Sequence, residues 1–241
     1  MPYLDDFTID LDNFAASMIF GMGAVFANII GMTNQQGSIF LASFTIANVV
    51  MQYPIGRMSD RFDRRLVILI VASISALAAA IASIVGLSNY WTLLGLTAIF
   101  GGFSMTIYSL CIAHANDYLS PSQMVGTASA LITVNGIGAI FGPPIIATLV
   151  DLFGSYMFFA MLSAVHIGLG LFVLARMYMR EAVPAEAQGP FIAVPDQGTA
   201  VAASLNPETA WSELDPELIA TEDPLTDNPY LDMPSLQKPP K

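Results

Sequence analysis

The residues of this chain that can do chemistry crowd into one place. Arg57, Asp60, Arg61, Asp63, Arg64 and Arg65 fall within the ten residues Gly56–Arg65, and four of the eight Lys and Arg residues lie there. Side chains of these types offer ion pairs and charge-assisted hydrogen bonds, not nucleophiles. The two histidines, His114 and His166, belong to different apolar runs and have no clear convergent carboxylate. Neither metal nor nucleophilic chemistry is expected of them. Cys111 is the single cysteine, inside an apolar run. One thiol allows no internal disulfide or thiolate metal site, and it reads as a small packing residue. No enzyme, metal or cofactor is expected.

The charged stretch is flanked by long charge-free runs. Between Asp12 and Arg57 there are 44 consecutive residues without Asp, Glu, Lys or Arg, and 51 more follow from Leu66 to Asn116. As one helix the first run would be roughly 66 Å long, against a hydrocarbon core about 30 Å thick. Each run must therefore fold back once. GMTNQQGS at 31–38 and GLSNY at 86–90 supply the turns. The expected spans are 14–32, 37–55, 66–87 and 91–113. A fifth, near 121–149, opens on Ser120, Pro121 and Gln123, an N-cap pattern. Gly142, Pro143 and Pro144 are expected to bend or break it. A sixth, near 156–175, ends at Arg176 and Arg180.

The composition agrees: 55% of the 241 residues are hydrophobic and 11% charged, against about 25% charged in soluble domains. Six basic residues fall on one side of this six-span layout, and the opposite loops (33–37, 88–90 and 150–155) hold no Lys or Arg. The positive-inside bias then makes the loop and both termini cytoplasmic. The net charge of −11 belongs mostly to the end of the chain, since residues 181–241 carry eleven acidic residues and two Lys. Residues 179–241, rich in Pro, Ala and acids, read as a disordered acidic cytoplasmic tail. Residues 1–13 read as a short acidic cytoplasmic segment, which lacks the basic start of a secretory signal. Nothing here has the basic face that nucleic-acid binding requires.

Polar and small residues form stripes on the spans. Gly21, Ala24, Asn28 and Gly31 share one face of the first; Thr45, Asn48 and Gln52 one face of the second. Thr97, Gly101, Ser104, Tyr108 and Cys111 line the fourth; Asn135, Gly138 and Gly142 line the fifth. Such stripes serve close helix packing or face a water-filled pathway. Packing is preferred for the Gly and Ala members, and the two readings stay open for Asn48, Gln52, Tyr108 and Asn135. His166, near the middle of the sixth span, is either a functional group or a neutral imidazole bonded to an adjacent helix. No Asp or Glu falls within a span; Asp151 sits at a helix end.

Gly56-Arg57-Met58-Ser59-Asp60-Arg61-Phe62-Asp63-Arg64-Arg65 resembles the loop signature G-x-x-x-D-R-x-G-R-R of the Major Facilitator Superfamily. In that family the signature joins the second and third helices of a six-helix half. QYPIGRMSDRFDRR, IYSLCIAHANDYLSP and VNGIGAIFGPPI follow one another as in the C-terminal half of small bacterial members. Asp63 departs from the signature, which has glycine there, and this puts the tight turn in question. The resemblance covers roughly residues 14–178. It implies an all-α integral membrane protein with six transmembrane helices forming one half of the fold, in a cell inner membrane.

By the same resemblance Asp60 and Arg61 are gate residues in the signature loop that opens at Gly56, supported by Arg57, Arg64 and Arg65. Asn28, Ser104 and Tyr108 become pathway candidates. Asn48, Gln52 and Asn135 fall at the seam between halves, and the third and sixth helices become peripheral. The implied function is transport of a small solute by alternating access. Its partners would be the lipid bilayer, the solute, and a second half from a separate N-terminal-half protein or a second copy. The alternative is a membrane anchor or regulator acting through the acidic tail, or a truncated transporter remnant.

Overall fold

The computed structural model describes residues 6–116, 138, 140–179 and 191. Every regular element among them is helical: α1 (Asp6–Ile29), α2 (Asn34–Ser59), α3 (Arg64–Ile84), α4 (Tyr90–Asn116), α5 (Ile140–Phe153) and α6 (Met157–Met179). Four of them, α2, α3, α4 and α6, are long and apolar enough to cross a membrane. The apolar parts of the other two, Phe14–Ile29 and Ile140–Phe153, are shorter. Helix α1 starts eight residues before the expected 14, and α6 runs on to Met179 instead of ending near 175. Most of the expected fifth span, including its cap at Ser120, lies outside the described residues, as does the tail apart from Phe191.

The turns form where their residue types demand. Gly31 takes φ +78°, a left-handed conformation that L side chains avoid. Thr33 then caps α2 through a reciprocal pair, its hydroxyl accepting from Gln36 N–H while the Gln36 side chain accepts from Thr33 N–H. At the next turn a short 3₁₀ segment, Gly86–Ser88, leads to Asn89. The Asn89 carboxamide oxygen accepts from the N–H groups of Trp91 and Thr92, starting α4. Gly154, at φ +104°, separates α5 from α6.

Helix α4 is the centre of the bundle. It packs on α1, α2 and α3, while α6 packs on α3 and α1. Most of the apolar stretch of α4 is buried, whereas α2 turns most of its surface outward. Glycines set the closest crossing. A Cβ on Gly101 would sit 2.5 Å from Phe44 Cα, and one on Gly102 3.2 Å from the Ala47 carbonyl oxygen. Glycine at both positions lets α2 and α4 meet backbone to backbone.

Two apolar clusters fill the interior. The larger holds a run of phenylalanines: Phe26 stacks on Phe158 at 4.3 Å, and Phe44 meets Phe40 and Phe100 edge to face at 5.3 and 6.1 Å. Offset and edge contacts of this kind add about 0.5–1.5 kcal/mol each beyond area burial. The smaller cluster, at the end where α2 meets α3, joins Ile55, Val67, Val71, Ile107, Leu110 and Val173.

Helix α5 runs without interruption through Gly142-Pro143-Pro144. Within Ile140–Phe153 these residues do not break the helix as expected, and the arm that would define a bend lies before the described residues. They make a contact surface instead. A side chain on Gly142 would strike Ser17, and one on Gly21 would strike the Pro143 ring. Ser17 Oγ also lies 2.9 Å from the carbonyl oxygen of Gly138. The small faces of α1 and α5 thus meet directly, with the Gly138 carbonyl accepting from a hydroxyl on α1.

Candidate functional site

The charged stretch spans the C-terminus of α2, a short turn and the first turn of α3. Asp63 is the residue that makes the turn. It takes φ −53° and ψ 118°, an ordinary conformation for an L residue, and its carboxylate accepts from Arg65 N–H at 3.0 Å. An N-cap carboxylate at the positive end of a helix satisfies one of its free N–H groups. No left-handed residue is needed, so the absence of glycine at this position leaves the turn intact.

Asp63 is further held by the Arg65 side chain, with Nε and Nη2 at 3.2 and 2.9 Å from its two oxygens. Burial works against its ionisation. The Arg65 side-chain and backbone hydrogen bonds, the Arg65 charge and the charge of His114 outweigh it and hold its pKa below the ordinary 3.8. The added negative charge is thereby neutralised within the turn.

Arg64 is 1% exposed. Its Nη1 donates to the carbonyl oxygen of Ala113 at 2.7 Å, reaching the last turn of α4. A cation suits the negative end of α4, and this contact fastens the start of α3 to the central helix. Arg64 Nη2 also lies 3.9 Å from Asp60 Oδ1.

Asp60 is presented differently. It forms the C-cap of α2 and is 42% exposed. A carboxylate at the negative end of a helix is unfavourable, and here it is offset by Arg64 and by the Phe191 N–H, 2.7 Å from Asp60 Oδ1. Gly56, one turn earlier, is buried beneath the Phe191 ring. Arg57 and Arg61 are exposed; Arg57 Nη1 donates to the Tyr53 hydroxyl at 2.6 Å.

The remaining candidates separate into inward and outward groups. Asn48 is buried, and its Oδ1 accepts from Thr106 Oγ1 of α4 at 3.3 Å. It is thus held inside this bundle, where a seam between halves was expected; Gln52 is half-buried one turn on. Ser104 and Tyr108, expected along a pathway, are likewise buried. Ser104 lies 2.8 Å from His166 Nε2, and His166 Nδ1 lies 2.8 Å from the Leu162 carbonyl oxygen. The carbonyl can only accept, so Nδ1 carries the proton; in the neutral ring Nε2 accepts from the Ser104 hydroxyl. His166 is a link between α6 and α4.

Among the described polar candidates, Asn28 faces open space. It is exposed and lines a half-open cavity of about 240 Å³ with Thr33, Asn34 and Ser38, beside the α1–α2 turn. Asn135 lies outside the described residues. Sequence patterns missed the Ala113 carbonyl, Thr106 and Phe191, because each matters only through a neighbour distant in the chain.

The family model described as Major Facilitator Superfamily matches residues 8–221. Curated relatives include the uncharacterized MFS-type transporter YcaD of Escherichia fergusonii, 25% identical over 164 residues, and that of an Escherichia coli strain, 27% identical over the same length. Each match takes in 68% of this chain and 40% of the relative, so the chain spans about two fifths of the relatives' length. Among solved structures, the POT family transporter PepTSo aligns with a TM-score of 0.65 and 15% identity over 77% of this chain and 39% of its own. The human organic anion transporter MFSD10 (TETRAN) aligns at 0.58 and 19% identity over 83% and 53%. The fold, the apolar helices and the family match agree: this chain is a multi-pass membrane protein and belongs to the Major Facilitator Superfamily.

Proposed function

We propose that this chain is a six-span half of a secondary carrier, moving a small solute by alternating access against a second six-helix half. The loop and both termini face the cytoplasm, in a bacterial inner membrane, with six Arg on that side supporting the orientation. The observation that carries the reading is the presentation of Asp60. Arg64 and Arg65 are buried and tied to the frame, whereas Asp60 and Arg61 project from it at the bundle end. A rigid base with two exposed opposite charges suits a contact that forms and breaks, as a gate must.

Solute passage would run along the outward surface, because the polar groups of α4 are paired within the bundle. Asn28, Thr33, Asn34 and Ser38 offer amide and hydroxyl groups at the opposite end, fitting a small polar solute. The names of the structural relatives, one a POT family transporter and one an organic anion transporter, do not narrow this further.

The test is cross-linking and co-purification from native membranes, with transport measured in vesicles. The second half should be captured, as another polypeptide or a second copy, and Asp60→Ala and Arg61→Ala should each abolish most transport. A strictly monomeric six-helix particle with no partner of similar fold would sink the proposal.

A further inference from the structure

Phe191 lies twelve positions beyond the end of α6 and yet is anchored. Its backbone N–H donates to Asp60 Oδ1 at 2.7 Å, a charge-assisted bond to an exposed carboxylate. Its ring covers Gly56, where an added Cβ would land on the ring itself. The same ring packs against the cluster of Ile55, Leu110 and Val173, with Met51 and Met177 at its edge. Two different features of the α2 end are therefore engaged at once: a hydrogen-bond acceptor and an apolar notch that exists because residue 56 has no side chain.

We infer that the end of α2 is a receptor for an aromatic peptide segment, and that its resident ligand is the chain's own segment at Phe191. This segment is a tethered strap that occupies Asp60 Oδ1 and the notch at Gly56, and another surface that uses them must compete with it. A short tether holds such a segment at an effective concentration in the millimolar range, so a weak two-point contact suffices to keep it seated. Displacement by the second half rests on the carrier reading above; the seating of the strap does not.

Hydrogen exchange on the full-length chain in nanodiscs tests the seating. The Phe191 amide should exchange at least about tenfold more slowly than an unstructured amide. Asp60→Ala and Gly56→Leu should each remove that protection, and Asp60→Asn, which keeps an acceptor oxygen, should retain most of it. Unprotected exchange in the unmodified chain, or protection that survives both disruptive changes, overturns the strap.

Phe191→Asp provides a variant outside the helices, so folding of the bundle is not at stake. It should bring exchange at the residue-191 amide several-fold closer to that of an unstructured amide, because the ring no longer holds the segment on Gly56 and exchange follows the population of the open form. Unchanged protection also overturns the strap. The yield of cross-links to the second half should rise in Phe191→Asp. A protected amide with an unchanged yield would refute the competition while leaving the receptor in place, and capture of no second half in either form would refute the carrier reading instead.

Discussion

Arg64, at the first turn of α3, donates from Nη1 to the carbonyl oxygen of Ala113 in the last turn of α4, 2.7 Å away and out of reach of solvent. This bond joins the charged loop to the central helix, so the loop is part of the frame and not an appendage. The cation meets the negative end of α4, where it is electrostatically favoured.

Removing that bond should be costly. Arg64→Ala is expected to lower stability by about 2–3 kcal/mol, since a buried acceptor loses a charged donor. Arg64→Lys should recover only part, because an ammonium cannot serve two directions with a planar fork. Asp60→Ala should cost less than about 1 kcal/mol, its ion pair being long and half-exposed. Unfolding in detergent, followed by far-ultraviolet circular dichroism, ranks the three; an Asp60 effect as large as that of Arg64 would contradict the assignment.

Asp63 carries a pH dependence of definite sign. Its pKa is lowered on folding from the ordinary 3.8, so its contribution is fully present above about 3.8 and fades as pH falls through the lower folded value. Asp63→Asn should flatten stability against pH in that acid range. Asp63→Ala should cost about 1 kcal/mol at neutral pH as a lost helix cap, and Asp63→Gly only a few tenths for the cap itself.

Ser104 and His166 should behave as one unit. Each single alanine change leaves a buried polar group without its partner, costing about 1–3 kcal/mol. The double change should cost less than the sum, with a coupling of about 0.5–3 kcal/mol in a double-mutant cycle. Simple additivity would show that the contact contributes nothing specific.

Gly101 sets the approach of α2 to α4. Gly101→Ala places a methyl group against Phe44 backbone and should destabilise by about 1–3 kcal/mol through overpacking. Gly95, on the same helix with open space around it, should tolerate alanine or gain slightly from its better helix propensity. Thermal midpoints of the two variants moving together would refute the distinction.

The approximate positions of α2, α3, α4 and α6 and of the turns between α1 and α2 and between α3 and α4 were legible in the sequence because their causes are local. Charge-free runs too long for one crossing demand a fold-back, and Gly31, Thr33 with Gln36, and Asn89 act on neighbours a few residues away. The signature loop was legible for the same reason, being ten contiguous residues. The consequence of Asp63 was not, because whether a turn needs glycine depends on the backbone angles adopted there.

What the sequence by itself determined was the membrane-spanning character, the family loop and which faces of the helices are small or polar. Only the tertiary structure decided what those faces meet. Arg64 finds Ala113 across 49 positions, Asn48 finds Thr106 across 58, Ser104 finds His166 across 62, and Asp60 finds Phe191 across 131. Helical periodicity assigns a residue to a face, but it is silent on which neighbouring helix covers that face. Packing of the whole bundle settles that choice, and it turned Ser104 and Asn48 inward while leaving the Asp60 carboxylate partly exposed at the end of α2.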